Sequence, residues 1–295
     1  MSQVTSNNRV GITTQAVRVP PHLFFVVSAV FHYLGPSFAV LLFPAVGVLG
    51  VAWLRIASAA LVFAPITRPW RLLPRIDACD RWLIFALGAC LAVMNCSFYF
   101  ALARLPISLV AAIEFVGSIA LALYGLRTPR NVAALAFTVA GVFLLIGLQW
   151  ASDVTGLLWA ALNGVLFVLY VVLGHRIANA DGASGIERLG PAMAIAFIVI
   201  FPIGMVQAAH AFSRPLLVLA GIGVGVCSSV VPYVFDQLAM ARLSRATFAL
   251  MLALLPACAT IIGALVLRQI PSVRDVLGIA LVMGGVAIHQ PPRKV

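Results

Sequence analysis

Ten apolar runs of about twenty residues follow one another from His22 onward, each broken off by Arg, Pro, Asp or Asn. At 1.5 Å per residue each is long enough to cross the roughly 30 Å hydrocarbon core of a bilayer as a helix. They fall at 22–42, 46–66, 82–102, 105–125, 130–148, 155–175, 188–209, 215–236, 243–266 and 273–290. In that solvent every backbone N–H and C=O must find an internal partner, which favours an all-α integral membrane fold. The composition agrees. The chain is 63% hydrophobic and 9% charged with mean hydropathy +1.11, whereas soluble proteins carry roughly a quarter charged residues. Ten spans in 295 residues leave no room for a sizeable domain outside the membrane.

The net charge of +11 would suggest nucleic acid in a soluble protein, but here the arginines lie between apolar runs and no nucleic-acid partner is expected. Placing residue 1 in the cytoplasm puts 14 of the 19 cations on that side, including Arg68, Arg71, Arg75, Arg81, Arg176 and Arg188. The other side receives Arg104, Arg214, Arg268 and Arg274, and Arg55 falls inside a span. Cations are retained on the cytoplasmic side, so both termini are expected there. Residues 1–21 are too polar for a signal peptide and read as a short cytosolic tail.

The chain also resembles itself. Ala101-Leu-Ala-Arg-Leu105 returns as Ala239-Met-Ala-Arg-Leu243, an offset of 138, and Leu126-Arg127 is echoed by Leu267-Arg268. The ten runs thus divide into two five-helix repeats, 22–148 and 155–290. An odd number of spans turns the second copy upside down, and such inverted repeats suit a transporter with a site at the membrane midplane.

An ionisable group near a span centre costs about 2.5–3.5 kcal/mol on insertion scales, so it needs a partner or a watery cavity. Arg55 and Glu114 sit at mid-span. Glu114 reads either as a proton-titrating carboxylate that also meets a substrate ammonium, or as the permanent partner of Arg55. Arg55 in turn is either a helix tie or the receiver of a substrate carboxylate. Asp236 falls at the cytoplasmic end of the eighth run, where it could snorkel to water. His32, Asn95 and Asn163 lie at similar depth, and Tyr99, Tyr170 and Tyr233 could wall a cavity. Gly35-Pro36, Gly117-Ser118, Pro232-Tyr233 and Leu255-Pro256 read as helix breaks that free backbone groups to line it.

The five cysteines form no CxxC pair and read as small apolar residues, so neither a metal nor a cofactor is called for. Trp70, Trp82 and Trp150 at run ends read as interfacial anchors. No GxxxxGK[ST], HExxH, GxSxG or dinucleotide fingerprint occurs, which leaves ATP-driven transport and the known membrane hydrolases without support.

Several of these pieces recur in a known order. Leu42-Phe-Pro-Ala-Val-Gly47, Trp53-Leu-Arg55, Arg68-Pro-Trp-Arg71 and Ala111-Ala-Ile-Glu-Phe-Val-Gly117 are followed by Val231-Pro-Tyr-Val-Phe-Asp236, Ala241-Arg-Leu243 and Leu255-Pro256. Together they resemble the EamA branch of the drug/metabolite transporter superfamily, and within it the Rht-type threonine and homoserine exporters. The resemblance implies ten helices in two inverted repeats, a cytoplasmic N-terminus and export of small amino acids, coupled to protons. Arg55, Glu114, Tyr233 and Asp236 match polar places of the pattern. The chain departs from it at Val40, Leu255 and Arg268-Gln269, where the pattern can carry Lys, Glu and Gly-Glu.

The expected function is a secondary exporter of small amino acids in the bacterial inner membrane, with a small-molecule substrate and the bilayer as partners. A homodimer is compatible with the chain. A multidrug or quaternary-ammonium exporter of the same superfamily is the alternative, and a lipid-modifying membrane enzyme is the reading from another class.

Overall fold

A computed structural model describes residues 20–125, 128–146, 153–180, 183–243, 248, 251–252 and 254–288. Among these residues the secondary structure is helical, with turns and no strand. Among the described residues the helices longer than ten residues are α1 (Pro21–Val46), α2 (Val48–Thr67), α3 (Ala78–Leu102), α4 (Ile107–Gly125), α5 (Pro129–Ile146), α6 (Val154–Ala178), α7 (Gly185–Ala208), α8 (Pro215–Met240), α9 (Leu254–Leu267) and α10 (Val273–Ile288). Six of them, α1, α2, α3, α6, α7 and α8, are long and apolar enough to cross a membrane. Residues 1–19 of the expected tail, the Leu126-Arg127 echo, Trp150 and residues 147–152 before α6 lie outside the described residues.

Start and stop signals set the ends. Asp77, Asp153 and Ser184 accept the backbone amides of Asp80, Gly156 and Glu187, and Glu187 reaches back to Ser184 in a full capping box. Gly47, at φ +82°, makes the tight corner between α1 and α2.

Contacts between helix ends sort them onto two faces. On one, His22 Nδ1 lies 3.2 Å from Met251 Sδ, Arg130 Nε donates to the Ile288 carbonyl at 2.6 Å, and Arg188 of α7 pairs with Asp80 of α3. On the other, Gln207 Oε1 accepts the amides of Leu49 and Gly50, Gln269 Oε1 accepts that of Ile107, and Arg104 meets Asp153 at 3.4 Å. Successive helices therefore run in opposite directions.

Each of α2, α4 and α5 packs on the helix five places later, α7, α9 and α10. The pairs α3–α6 and α3–α7 have their counterparts in α8–α1 and α8–α2. Tyrosines, alanines and branched residues fill the space between them, while Leu61, Trp70, Trp82, Val165, Val206, Leu216 and Leu265 point outward. An exposed apolar belt of this kind is stable only in lipid.

Candidate functional site

Small residues bring α4 and α6 together. A Cβ on Gly164 would stand 3.3 Å from the Ile113 carbonyl and 3.5 Å from Glu114 Cα, and one on Gly117 would stand 2.7 Å from Val168 Cγ2. That approach lets Asn163, beside Gly164, donate to Glu114 Oε1 at 2.5 Å. From α1, Tyr33 Oη donates to Glu114 Oε2 at 2.9 Å. Glu114 is 2% exposed and Asn163 and Tyr33 fully buried. An apolar cleft of about 450 Å³ between α4, α5 and α6 runs past Ile113, Gly117 and Gly164, and no member of the polar cluster lines it.

The backbone of α8 changes pitch at Val226–Val230, where one π turn interrupts the helix. Its cause is two residues on. Pro232 has no N–H to offer the Ser228 carbonyl, so the regular bond is missing there. Arg55 of α2 supplies the donor: Nη2 reaches the Ser228 carbonyl at 2.7 Å, and Nε donates to Ser229 Oγ at 2.8 Å. Its guanidinium lies 5.2 Å from the centre of the Tyr99 ring. Gly225 and Gly221 make this reach possible, since Cβ atoms there would collide with Ser58 and Leu54 of α2. Arg55 Nη1, Tyr99 Oη and Asn163 Oδ1 remain buried with no hydrogen-bond partner.

Asp236 forms a second knot. Its Oδ1 accepts from Ser28 Oγ of α1 at 2.5 Å and its Oδ2 from Tyr170 Oη of α6 at 2.8 Å. Between the two knots, Asn95 Nδ2 of α3 donates to Tyr233 Oη at 3.1 Å, and the Tyr170 and Tyr233 rings lie 5.6 Å apart. Asn95 and Tyr233 are separated by 138 residues, the same offset at which Ala101–Leu105 is echoed by Ala239–Leu243. His32 packs edge-on against Tyr33 and Phe167.

Five expected polar helices thus converge, with corrections. Arg55 and Glu114 form no direct ion pair: among the described residues the ion pairs are Arg104–Asp153 and Arg188–Asp80. Asp236 does not snorkel. Helix α8 continues one turn further, to Met240, and leaves Asp236 4% exposed. Gly35 and Pro36 do not break α1, which runs unbroken to Val46. Gly35 instead marks a close approach, since a Cβ there would lie 2.5–2.7 Å from Ser228. Helix α4 likewise runs through Gly117. Pro256 sits in the first turn of α9, which begins at Leu254 just after a turn at Leu252, so an interruption of the expected ninth run falls beside it, as the π turn falls beside Pro232.

Sequence reasoning passed over Ser28, Tyr33, Ser228 and Ser229, which partner the charges. It also took Arg188 for a loop cation. Arg188 is 1% exposed and donates to the carbonyls of Ile177, Ala180 and Ala183 as well as to Asp80. The Ser184–Glu187 capping box was the available signal, because it starts α7 at Gly185 and draws Arg188 inside the first turn.

Residues 154–289 match the EamA-like transporter family. The chain is 33% identical to the threonine/homoserine exporter RhtA of Salmonella typhimurium (strain SL1344) and 32% identical to that of Escherichia coli (strain K12), over 80% of this chain and 79% of theirs. A protein crystal structure is similar in fold, with a TM-score of 0.60 at 20% identity over 91% of this chain and 95% of that one. Charges buried between apolar helices, the family match and the relatives agree: the chain belongs to the EamA-like transporter family, and is a multi-pass membrane transporter of small molecules.

Proposed function

We propose that the protein exports small amino acids of the threonine and homoserine kind across the bacterial inner membrane in exchange for protons. Ten spans in two inverted five-helix repeats, with both termini cytoplasmic, form its frame. The helix pairings five places apart, the contact of Asn95 with Tyr233, and the cation count support that frame.

One observation carries the substrate class. A buried cation, Arg55, and a buried anion, Glu114, have no salt bridge between them, and an unpartnered polar atom stands at each, Arg55 Nη1 and Asn163 Oδ1. Unmade hydrogen bonds at buried groups cost about 1–3 kcal/mol each, more for charged ones. A zwitterion meets this demand at both ends. Arg55 Nη1 and Tyr99 Oη take the α-carboxylate, and Glu114 with Asn163 Oδ1 takes the α-ammonium. A proton on Glu114 removes the charge that holds the ammonium, so proton and substrate compete for it and the two cross in opposite directions. The two similar exporters named for threonine and homoserine support the same class.

The test is counterflow in proteoliposomes preloaded with threonine, homoserine, other amino acids or quaternary-ammonium cations. Exchange of labelled threonine or homoserine is the expected result. Exchange of the cations alone would overturn the amino-acid reading in favour of a multidrug exporter.

A further inference from the structure

Glu114 and Asp236 hang between the same two helices. Both accept from α1 and α6, Glu114 from Tyr33 and Asn163, Asp236 from Ser28 and Tyr170. Five residues separate the donors on α1 and seven those on α6, so the carboxylates are offset by roughly 8–10 Å along the helix axes. Asp236 is the one nearer the face that carries the start of α1 and the end of α8.

Their surroundings differ in kind. Glu114 stands beside the unpartnered Asn163 Oδ1, which awaits a donor. Asp236 is held instead by two hydroxyls, Ser28 and Tyr170, neither of which leaves a polar atom unpartnered. The titratable groups around it are Tyr170 of α6, Tyr233 on its own helix, His32 one turn along α1 from Ser28, and Cys90 of α3 beyond Tyr170. Helices α2 and α7 also pack on α8, but Arg55 and Arg188 bond to Ser228, Ser229 and Asp80 and lie outside ion-pair distance of Asp236.

Ser28 is the telling neighbour. Its Oγ lies 2.5 Å from Asp236 and also 3.3 Å from the Pro232 carbonyl. An ionised Asp236 accepts the Ser28 hydroxyl. With a proton on Oδ1, Asp236 donates to Ser28 Oγ, and the Ser28 hydroxyl turns to the Pro232 carbonyl while Tyr170 keeps its bond to Oδ2. Both protonation states are satisfied by one hydroxyl rotation, with no new partner.

We propose that Asp236 is a second proton station, inward of Glu114, which carries the coupled proton between Glu114 and the cytoplasmic face without binding substrate. This rests on the reading of the chain as a proton-driven exporter. The step conserves the proton: it leaves Glu114 as substrate arrives, occupies Asp236, and is released to cytoplasmic water.

Two measurements on the full chain decide it. In proteoliposomes with an imposed pH gradient, Asp236→Asn should slow gradient-driven threonine movement by about tenfold or more while threonine–threonine counterflow stays within about twofold of wild type. Glu114→Gln should lose both, and Ser28→Ala should slow only the gradient-driven reaction. In nanodiscs without substrate, infrared spectra across pH should contain a protonated-carboxyl band in wild type and Glu114→Gln that Asp236→Asn removes. Gradient-driven transport at the wild-type rate in Asp236→Asn, loss of counterflow equal to that of Glu114→Gln, or an unchanged infrared band each overturns the proposal. If wild type moves no amino acid, the substrate reading fails and the infrared titration still judges Asp236.

Discussion

Arg188 offers the sharpest stability prediction. Its guanidinium ties the end of α6 to the starts of α3 and α7 through three carbonyls and the Asp80 carboxylate. Replacing it with Met keeps the stem and removes every donor. The Ile177 carbonyl is buried with it, whereas those of Ala180 and Ala183 are partly buried and Asp80 keeps 22% of its side chain in solvent. Water can therefore serve some of the stranded acceptors. At about 1–3 kcal/mol for each acceptor left dry, Arg188→Met should destabilise the fold by about 3–4 kcal/mol. Asp80→Asn retains an acceptor and should lose only about 1 kcal/mol. The double variant should be little worse than Arg188→Met alone, because the second change removes a partner already lost. Thermal unfolding in nanodiscs, followed by tryptophan fluorescence, should show a midpoint lowered by roughly 5–10 °C for Arg188→Met. A midpoint within about one degree of wild type, well inside that scale, would refute the reasoning. So would an Asp80→Asn variant as damaged as Arg188→Met, since charge rather than the carbonyl set would then dominate.

Other outcomes follow from the same geometry. Tyr99→Phe should move the melting midpoint little, because the hydroxyl makes no well-aligned hydrogen bond, yet weaken threonine binding by about tenfold or more; Tyr33→Phe should cost about 1 kcal/mol of stability, since it takes a donor from Glu114. Gly35→Ala should push α1 off the π turn of α8 and cost about 1–3 kcal/mol, read as a lower midpoint and slower transport. Cys79 is the exposed cysteine, beside Asp80 at the start of α3. A membrane-impermeant maleimide should label it in inside-out vesicles and not in intact cells, and the reverse pattern would invert the topology.

How much of this was legible beforehand follows from what each signal measures. Runs of apolar residues report length, so the helices and the burial of His32, Arg55, Asn95, Glu114 and Asn163 between them could be read directly. Direction around a helix could not, because helices apolar on all sides carry no moment to orient them. Ser28 and Ser228 therefore looked like filler until Asp236 and Arg55 were seen to lean on them. The prolines were read as breaks of equal weight, yet a helix tolerates the loss of one bond when neighbours take up the freed groups. Pro36 is carried inside α1, whereas Pro232 lies beside a π turn, and Arg55 takes the Ser228 carbonyl that this proline leaves free. Arg188 was counted for its charge when its position inside a capped first turn was the informative fact.

The central claim is that the cluster holds a zwitterion by both ends, between Arg55 with Tyr99 and Glu114 with Asn163. Equilibrium binding by calorimetry in nanodiscs tests it with threonine and two analogues, one without the α-carboxylate and one without the α-ammonium. Threonine should bind, and each analogue should bind more weakly by about tenfold to a hundredfold, the worth of one hydrogen-bonded charge. Either analogue binding as tightly as threonine would contradict the account.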